Sequence, residues 1–414
     1  MTGAHAPIAP RPWMTDPATT AVMDAVTAGG GEARFIGGCV RDTVAGRPVK
    51  DVDIATPLAP AEVVRRLEAA GLKAVPTGIG HGTVTAVAGG RGFEVTTLRR
   101  DISTDGRRAV VAFTDDWAQD AARRDLTFNA LSMTRDGAIH DPFGGLEDLA
   151  AGRVRFIGDP AVRLAEDRLR LLRFFRFLAW YGRVPPDGAA LAACRAAAPD
   201  LRILSAERVR GELLRLLEAP DPLPAWQGLA AVGALPVVLP EADDGTRLAR
   251  MVGQDRAAGL PPDPLLRLAA AVRHRGGGAE ALAARLRLSN AARDRLLAVL
   301  KQSATVAATD EGRWAGLRFV FGTDGFRDAA RLSAAFDGDG ARLARAMALA
   351  AQPERTFPLR GEDLVARGVP PGPEVGRRLA ELRSWWMAGG LSADRAACLA
   401  ALEARLGQPG GGSD

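Results

Sequence analysis

Strand patterning in this chain is concentrated in its first part, and that asymmetry constrains the fold more than any other feature. Arg34-Phe35-Ile36, Val52-Asp53-Ile54-Ala55, Thr83-Val84-Thr85-Ala86-Val87 and Phe93-Glu94-Val95-Thr96-Thr97 read as short strands, with Gly89-Gly90-Arg91-Gly92 as a hairpin-like turn between the last two. Apolar periodicity predicts a helix over Asp16–Ala28, ended by Gly29-Gly30-Gly31, and another over residues 60–70. After Gly158-Asp159-Pro160 the strand signals fade. Helical stretches then alternate with breaks at Pro185-Pro186, Pro220 to Pro224, Pro261 to Pro264, Gly276 to Gly278 and Pro370 to Pro373. An α+β domain over roughly residues 25 to 150, followed by an all-α remainder, is the expected architecture. Residues 1–15, rich in Ala and Pro, read as a loose arm, and Gly407 to Asp414 as a disordered tail.

Length and composition narrow the classes further. At 414 residues the chain is long enough for two or three domains and needs no disulfide or metal to hold a core. Cys39, Cys194 and Cys398 lie far apart with no CxxC pair, which fits a reduced cytosol and excludes a disulfide scaffold or a cysteine zinc site. The four histidines (His5, His81, His140, His274) make no HExxH or HD pair, so a histidine-based metal hydrolase or an accompanying phosphohydrolase is not expected. No apolar run reaches the length of a membrane span, and Met1 to Arg11 lacks the apolar stretch of a secretory signal. The expected location is cytoplasmic. Lysine occurs only at Lys50, Lys73 and Lys301 among 54 basic residues, and the net charge is +5. Arginine matches phosphate bidentately, so a polyanionic partner is plausible, although part of the bias can be genomic.

Chemistry first gathers at Gly37-Gly38-Cys39-Val40-Arg41-Asp42, followed by Lys50-Asp51-Val52-Asp53-Ile54. A strand, a glycine turn and a helix start present backbone N–H groups to an anion such as a triphosphate, and Arg41 adds a charge-assisted contact. Asp51 and Asp53 are two apart on a predicted strand, so their carboxylates share a face and can hold Mg²⁺ through oxygen ligands. Glu94, between Phe93 and Val95 on a neighbouring strand, is placed to join them. Two ions would suit phosphoryl transfer, one activating the attacking hydroxyl and one clamping the leaving phosphates. A lone Asp-x-Asp is more often a solvated strand face, and the case rests on the combination. Lys50 reads as a flanking surface charge, Cys39 as a packed side chain, His81 as a brace for a turn, and Trp385 and Trp386 as packing for the last helices.

Three later blocks extend the pattern. Arg123-Arg124-Asp125-Leu126-Thr127-Phe128-Asn129-Ala130 is followed by Asp141-Pro142-Phe143-Gly144-Gly145-Leu146-Glu147-Asp148-Leu149, and then by Arg163-Leu164-Ala165-Glu166-Asp167-Arg168-Leu169-Arg170-Leu171-Leu172-Arg173-Phe174-Phe175-Arg176-Phe177. Over these residues the chain resembles the class II CCA-adding tRNA nucleotidyltransferases and the related bacterial poly(A) polymerases, within the polymerase-β-like nucleotidyltransferase superfamily. The resemblance is dense from Phe35 to Leu217, including Ser205-Ala206-Glu207-Arg208 and Glu212-Leu213-Leu214. It thins afterwards, with Pro358 to Leu364 and Pro370 to Pro373 still family-like.

Asp167, Arg170, Arg173 and Arg176 recur every three residues on an expected helix, each step falling about 60° short of a full turn. A carboxylate accepts from an exocyclic amino group and a guanidinium donates to a ring nitrogen or carbonyl, a pairing that suits the Watson–Crick edges of C and A and not of U and G. The resemblance assigns Asp167 and Arg170 this protein-template role, and Arg124, Arg173 and Arg176 contacts to the nucleotide's phosphates or sugar. Without the upstream motifs, Arg163 to Arg176 would read as a solvated charged face over Leu169, Leu172 and Phe175.

The resemblance also implies a layout: an N-terminal arm and start of the first helix over 1–24, a catalytic head with a mixed sheet over 25–155, a helical neck over 156–220, and a helical body and tail over 221–406 that would grip tRNA. CTP and ATP would be the substrates and the tRNA 3′ end the acceptor, with no obligate protein partner. Arg99 to Arg108 looks like the flexible loop of enzymes that add all of C, C and A. The alternatives within the family are a bacterial poly(A) polymerase, which the short, non-basic ends argue against, and an A-adding enzyme, which the Arg99–Arg108 loop argues against. A non-catalytic RNA-binding protein keeping the same fold is the alternative of another class, and the presence of Asp51, Asp53 and Glu94 opposes it.

Overall fold

The computed structural model describes residues 7–104, 109–273 and 278–406 and divides into two compact units, Met1–Pro240 and Glu241–Asp414. Among its described residues the first holds nine strands: β1 (Arg34–Ile36), β2 (Asp53–Thr56), β3 (Lys73–Gly78), β4 (Thr83–Ala88), β5 (Arg91–Thr97), β6 (Arg99–Thr104), β7 (Ala109–Phe113), β8 (Ser132–Met133) and β9 (Ile139–His140). Seven form one mixed sheet in the order β3-β4-β5-β2-β1-β8-β9, while β6 and β7 pair separately. Within the large sheet β2 and β5 run parallel and the other neighbours antiparallel.

Alternation decides which face of that sheet is covered. Ile54, Val84, Ala86, Phe93 and Val95 are buried. Against β4 and β5 pack α2 (Pro17–Thr27) and α4 (Pro60–Ala69), which bury Val22, Val26, Val63 and Leu67. Each such side chain contributes about 1.5–3 kcal/mol on leaving water. Preceding α2 is a single turn, α1 (Pro12–Thr15). The helix α2 starts where Asp16 accepts from Ala18 N at 3.0 Å, with Pro17 in the first helical position. The opposite face carries Asp53 and Glu94.

One expectation is corrected in this region, and a further strand is found. Residues 7–15 are pinned and not a loose arm: Ile8 N donates to Gly137 O at 2.9 Å, Met14 is buried, and Trp13 meets the Phe35 ring edge-on at 4.8 Å while donating to Thr43 Oγ1. Strand β3 carries no clean strand pattern because it lies at the sheet edge, where Pro76 is tolerated beside a register shift between Val75 and Gly78. Of the Arg99–Arg108 loop, Arg99 to Thr104 lie in β6, and residues 105–108 are outside the described residues. The tail at 407–414, read as disordered, also lies outside them, as does His274.

The rest of the first unit is helical: α3 (Gly38–Val44), α5 (Trp117–Ala122), α6 (Gly145–Ala151), α7 (Pro160–Glu166), α8 (Leu169–Tyr181), α9 (Gly188–Ala197), α10 (Ala206–Leu217), α11 (Leu223–Ala231) and α12 (Leu235–Val238). Helix α8 buries Leu171, Leu172, Phe174, Phe175 and Phe177 and packs on α10 and α11. Phe174 stacks on Phe156 at 4.9 Å. An added Cβ at Gly228 on α11 would lie 2.4 Å from the Phe175 ring, so the glycine permits this close approach.

The second unit contains α13 (Thr246–Ala257), α14 (Pro264–Ala270), α15 (Gly278–Arg285), α16 (Asn290–Ala308), α17 (Trp314–Asp337), α18 (Gly340–Ala350), α19 (Gly361–Val365), α20 (Pro373–Ala388) and α21 (Arg395–Leu406), in keeping with the expected all-α remainder. One of its cores joins Trp314, Phe326 and Leu343; another joins Leu364, Leu382, Trp386 and Leu402, with Trp385 packed against it. The two tryptophans therefore pack helices, as expected. Among the described residues no helix is long and apolar enough to cross a membrane.

Candidate active site

The tight turn after β1 begins the site. Gly37 adopts φ +65° and ψ −122°, a conformation side chains other than glycine rarely take, and α3 starts at the next residue. Asp53 opens β2 and is the register partner of Ile36 on one side and of Glu94 on the other. Register partners share a face, so Asp53 and Glu94 stand side by side. Asp51 lies two residues ahead of Asp53 but before β2 begins, not on the strand as the sequence pattern predicts.

Electrostatics mark this acidic group. Burial pushes the Asp53 carboxyl up to about 6, helped by the negative charges of Glu94 and Asp51 and opposed by Arg124 and Arg41. Among the described residues, none of the three carboxylates is in an ion pair. No three carboxylate, imidazole or thiolate groups there close into a metal cage either. The donors that Asp51, Asp53 and Glu94 offer are all carboxylate oxygens, a set that suits a hard cation such as Mg²⁺. Cys39, behind the turn, is buried, donates to Ile36 O, and has its thiol pushed up to about 12 by burial. It packs, as expected. His81 sits in a turn and its carbonyl accepts from Arg99, and Lys50 is exposed.

A cleft of about 400 Å³ brings together Gly37, Gly38, Arg41, Asp53, Arg124, Asp167, Arg170 and Arg173. Asp51, Glu94 and Arg176 do not line it. Arg176 instead pairs with the buried Glu212 of α10 and lies 4.0 Å over the Phe177 ring. Arg170 donates to Arg123 O at 2.8 Å, to Arg163 O, and to Glu166. These arginines are largely buried in ion pairs, which excludes the solvated-face reading of Arg163 to Arg176. The regular threefold spacing is also corrected at one end. Asp167 is extended (φ −152°, ψ 111°) between α7 and α8, and its Oδ1 accepts from Leu169 N at 3.0 Å.

Four polar cleft residues, Arg123, Asp125, Asn129 and Arg208, are not singled out by sequence reasoning. Arg208 donates to Asp167 Oδ2 at 2.6 Å. Asp125 accepts from Arg173 Nε at 2.6 Å, from Asn129 Nδ2 at 2.9 Å and from Leu126 N at 2.9 Å. Burial alone would raise the Asp125 carboxyl, but the Arg173 guanidinium and these hydrogen bonds outweigh it and hold it well below the usual carboxylate range. Arg123 grips the buried Asp120 through Nε and Nη2, and Arg124 reaches the same carboxylate at 3.2 Å. All four lie inside motifs that had been recognised, so membership of a motif was the available signal; their partners were not.

Comparison with known proteins identifies the family. Residues 33–155 match the Poly A polymerase head domain, and residues 186–245 the family described as a probable RNA and SrmB-binding site of polymerase A. The chain is 36% identical over 371 residues to the mitochondrial CCA tRNA nucleotidyltransferase 1 of Danio rerio, covering 86% of this chain and 83% of the relative. It is 33% identical to a CCA-adding enzyme of Levilactobacillus brevis, covering 92% and 96%. The crystal structure of the Bacillus stearothermophilus CCA-adding enzyme in complex with CTP superimposes with a TM-score of 0.67 at 28% identity, covering 94% of this chain and 97% of that one. The fold is thus that of a nucleotidyltransferase head with helical domains after it. The chain belongs to the CCA-adding family of tRNA nucleotidyltransferases.

Proposed function

We propose that this protein builds or repairs the 3′-terminal CCA of tRNA, joining C, C and A from CTP and ATP to the RNA 3′-hydroxyl and releasing pyrophosphate. The observation that carries this reading is the single cleft in which Asp53, the Gly37-Gly38 turn, Arg41 and Arg124 meet Asp167 and Arg170. Phosphate-binding, acidic and base-reading groups are within one nucleotide's reach there. The relatives named as CCA tRNA nucleotidyltransferases and the solved relative bound to CTP support the same reading.

Gly37, Gly38 and Arg41 take the triphosphate, and Arg124 and Arg173 add positive charge along it. Asp167 accepts from the amino group of C or A and Arg170 donates to the neighbouring ring acceptor. UTP and GTP would set a carbonyl against the Asp167 carboxylate, two acceptors with no donor between them, which disfavours both bases. Asp51 and Asp53 would hold two Mg²⁺ ions, with Glu94 beside them. Bound there, the metal supplies activation of the attacking hydroxyl and charge neutralisation on the leaving phosphates. Positioning and electrostatics provide the rate, with no covalent enzyme intermediate. The arginine-rich helices suit sequence-blind contacts to RNA phosphates, and the three buried free thiols suit the reducing cytoplasm.

The test uses tRNA ending at the discriminator base, with Mg²⁺ and each nucleotide alone or together, read at single-nucleotide resolution. Two additions with CTP alone and three with CTP plus ATP are expected. Long tails from ATP alone would move the chain to the poly(A) branch, and binding of tRNA with no extension would leave an RNA-binding protein.

A further inference from the structure

Arg41 is held in the cleft wall by a chain of contacts that ends outside the cleft. Its Nε and Nη2 fork onto the two carboxylate oxygens of Asp42 at 3.1 and 3.0 Å, and its Nη1 donates to Asn129 Oδ1 at 2.8 Å. Three of the five guanidinium N–H groups are committed in these bonds. The flat of the guanidinium lies 5.0 Å from the Phe177 ring centre and 4.9 Å from that of Tyr181. Tyr181, the only tyrosine of the chain, is the last residue of α8, and its hydroxyl donates to Asp42 Oδ1. Burial raises the phenol's pKa, so it remains a donor at neutral pH. Tyr181 does not line the cleft.

We propose that Tyr181 is a positioning residue for triphosphate binding: through Asp42 it fixes the angle at which Arg41 meets the phosphates, and so sets nucleotide affinity without affecting nucleotide choice. This rests on the reading of Arg41 as a phosphate contact. The base-reading residues Asp167 and Arg170 stand at the opposite end of α8, about 20 Å away along a 13-residue helix. Phosphates are common to CTP and ATP, so loss of the latch must weaken both alike. One hydrogen bond to a charged group, with the rotational freedom its loss returns to Asp42 and Arg41, corresponds to about a fivefold to tenfold change in affinity.

The experiment is calorimetric titration of the full chain with MgCTP and with MgATP, for the wild type, Tyr181→Phe, Asp42→Asn and the double variant, alongside tRNA extension. Tyr181→Phe keeps the ring and removes only the hydroxyl. It should bind both nucleotides about fivefold to tenfold more weakly, raise KM by the same factor, leave kcat within about twofold, and preserve the CTP-to-ATP affinity ratio. Asp42→Asn approaches the link from the other side, and the double variant should be no weaker than the worse single one. Wild-type affinity in Tyr181→Phe, loss for one nucleotide only, or full additivity would overturn the proposal. A wild-type protein that binds CTP but extends no tRNA would defeat the functional reading while the binding data still decide the role of Tyr181. Binding of neither nucleotide would defeat both.

Discussion

Arg208 holds Asp167 by an ion pair of 2.6 Å, reaching from α10 to the extended link between α7 and α8. The other oxygen of Asp167 caps the first turn of α8. The carboxylate is therefore fixed from two directions. In the proposed template role, each oxygen keeps a further lone pair for an incoming amino group. A preorganised acceptor of this kind rejects a carbonyl-bearing base strongly, because nothing can rotate to relieve the mismatch.

Asp167→Ala should lower discrimination of CTP over UTP by at least about tenfold while weakening CTP binding less. Arg208→Ala should give a smaller loss in the same direction by freeing the carboxylate to turn. Competition assays with CTP and UTP measure both. Unchanged discrimination in Asp167→Ala would remove the template role.

Asp53→Asn should abolish nucleotide transfer yet stabilise the metal-free protein at neutral pH. The Asp53 carboxyl is pushed up to about 6 in the fold, above its ordinary value near 4, so the folded state holds the proton more tightly than the unfolded state. Its stabilising effect is present below about pH 4 and lost as pH rises through about 6. At pH 7.5 the substitution should add on the order of 1–3 kcal/mol. Thermal melts of both proteins in chelator should show a gain at pH 7.5 and little at pH 4, and Mg²⁺ with CTP should narrow the difference.

Gly37→Ala should cost about 1–3 kcal/mol in stability, because φ +65° with ψ −122° is strained for any side chain. Its Cβ would also lie 3.3 Å from Arg124 Nη1 and displace a cleft arginine. A lower melting temperature together with a raised KM for both CTP and ATP is the expected result.

Asp125→Ala should destabilise the first unit by about 3 kcal/mol or more, since it leaves Arg173 and Asn129 without their buried partner. The depressed carboxyl contributes stability that is full above about pH 4 and lost as pH falls toward its folded value. Urea unfolding should show a large gap between wild type and variant at pH 7 that shrinks on acidification.

The features legible from residue order are local: strands early and helices late, a glycine turn entering α3, and acidic and arginine motifs in a recognisable succession. Those features follow from periods of two and near four residues and from steric limits at glycine and proline, which neighbouring residues set among themselves. The edge strand β3 escaped because an edge needs no alternating pattern, and the extended state of Asp167 because a threefold spacing does not report where a helix begins.

Which charge meets which is settled by the three-dimensional fold. Asp167 and Arg208 are 41 residues apart, Asp125 and Arg173 48, Arg41 and Asn129 88, and Asp42 and Tyr181 139. With so many arginines in the chain, any carboxylate has many possible partners on composition alone. The path of the backbone and the packing of α8 against α10 select one, because a buried charge is tolerated only where its partner is already in place.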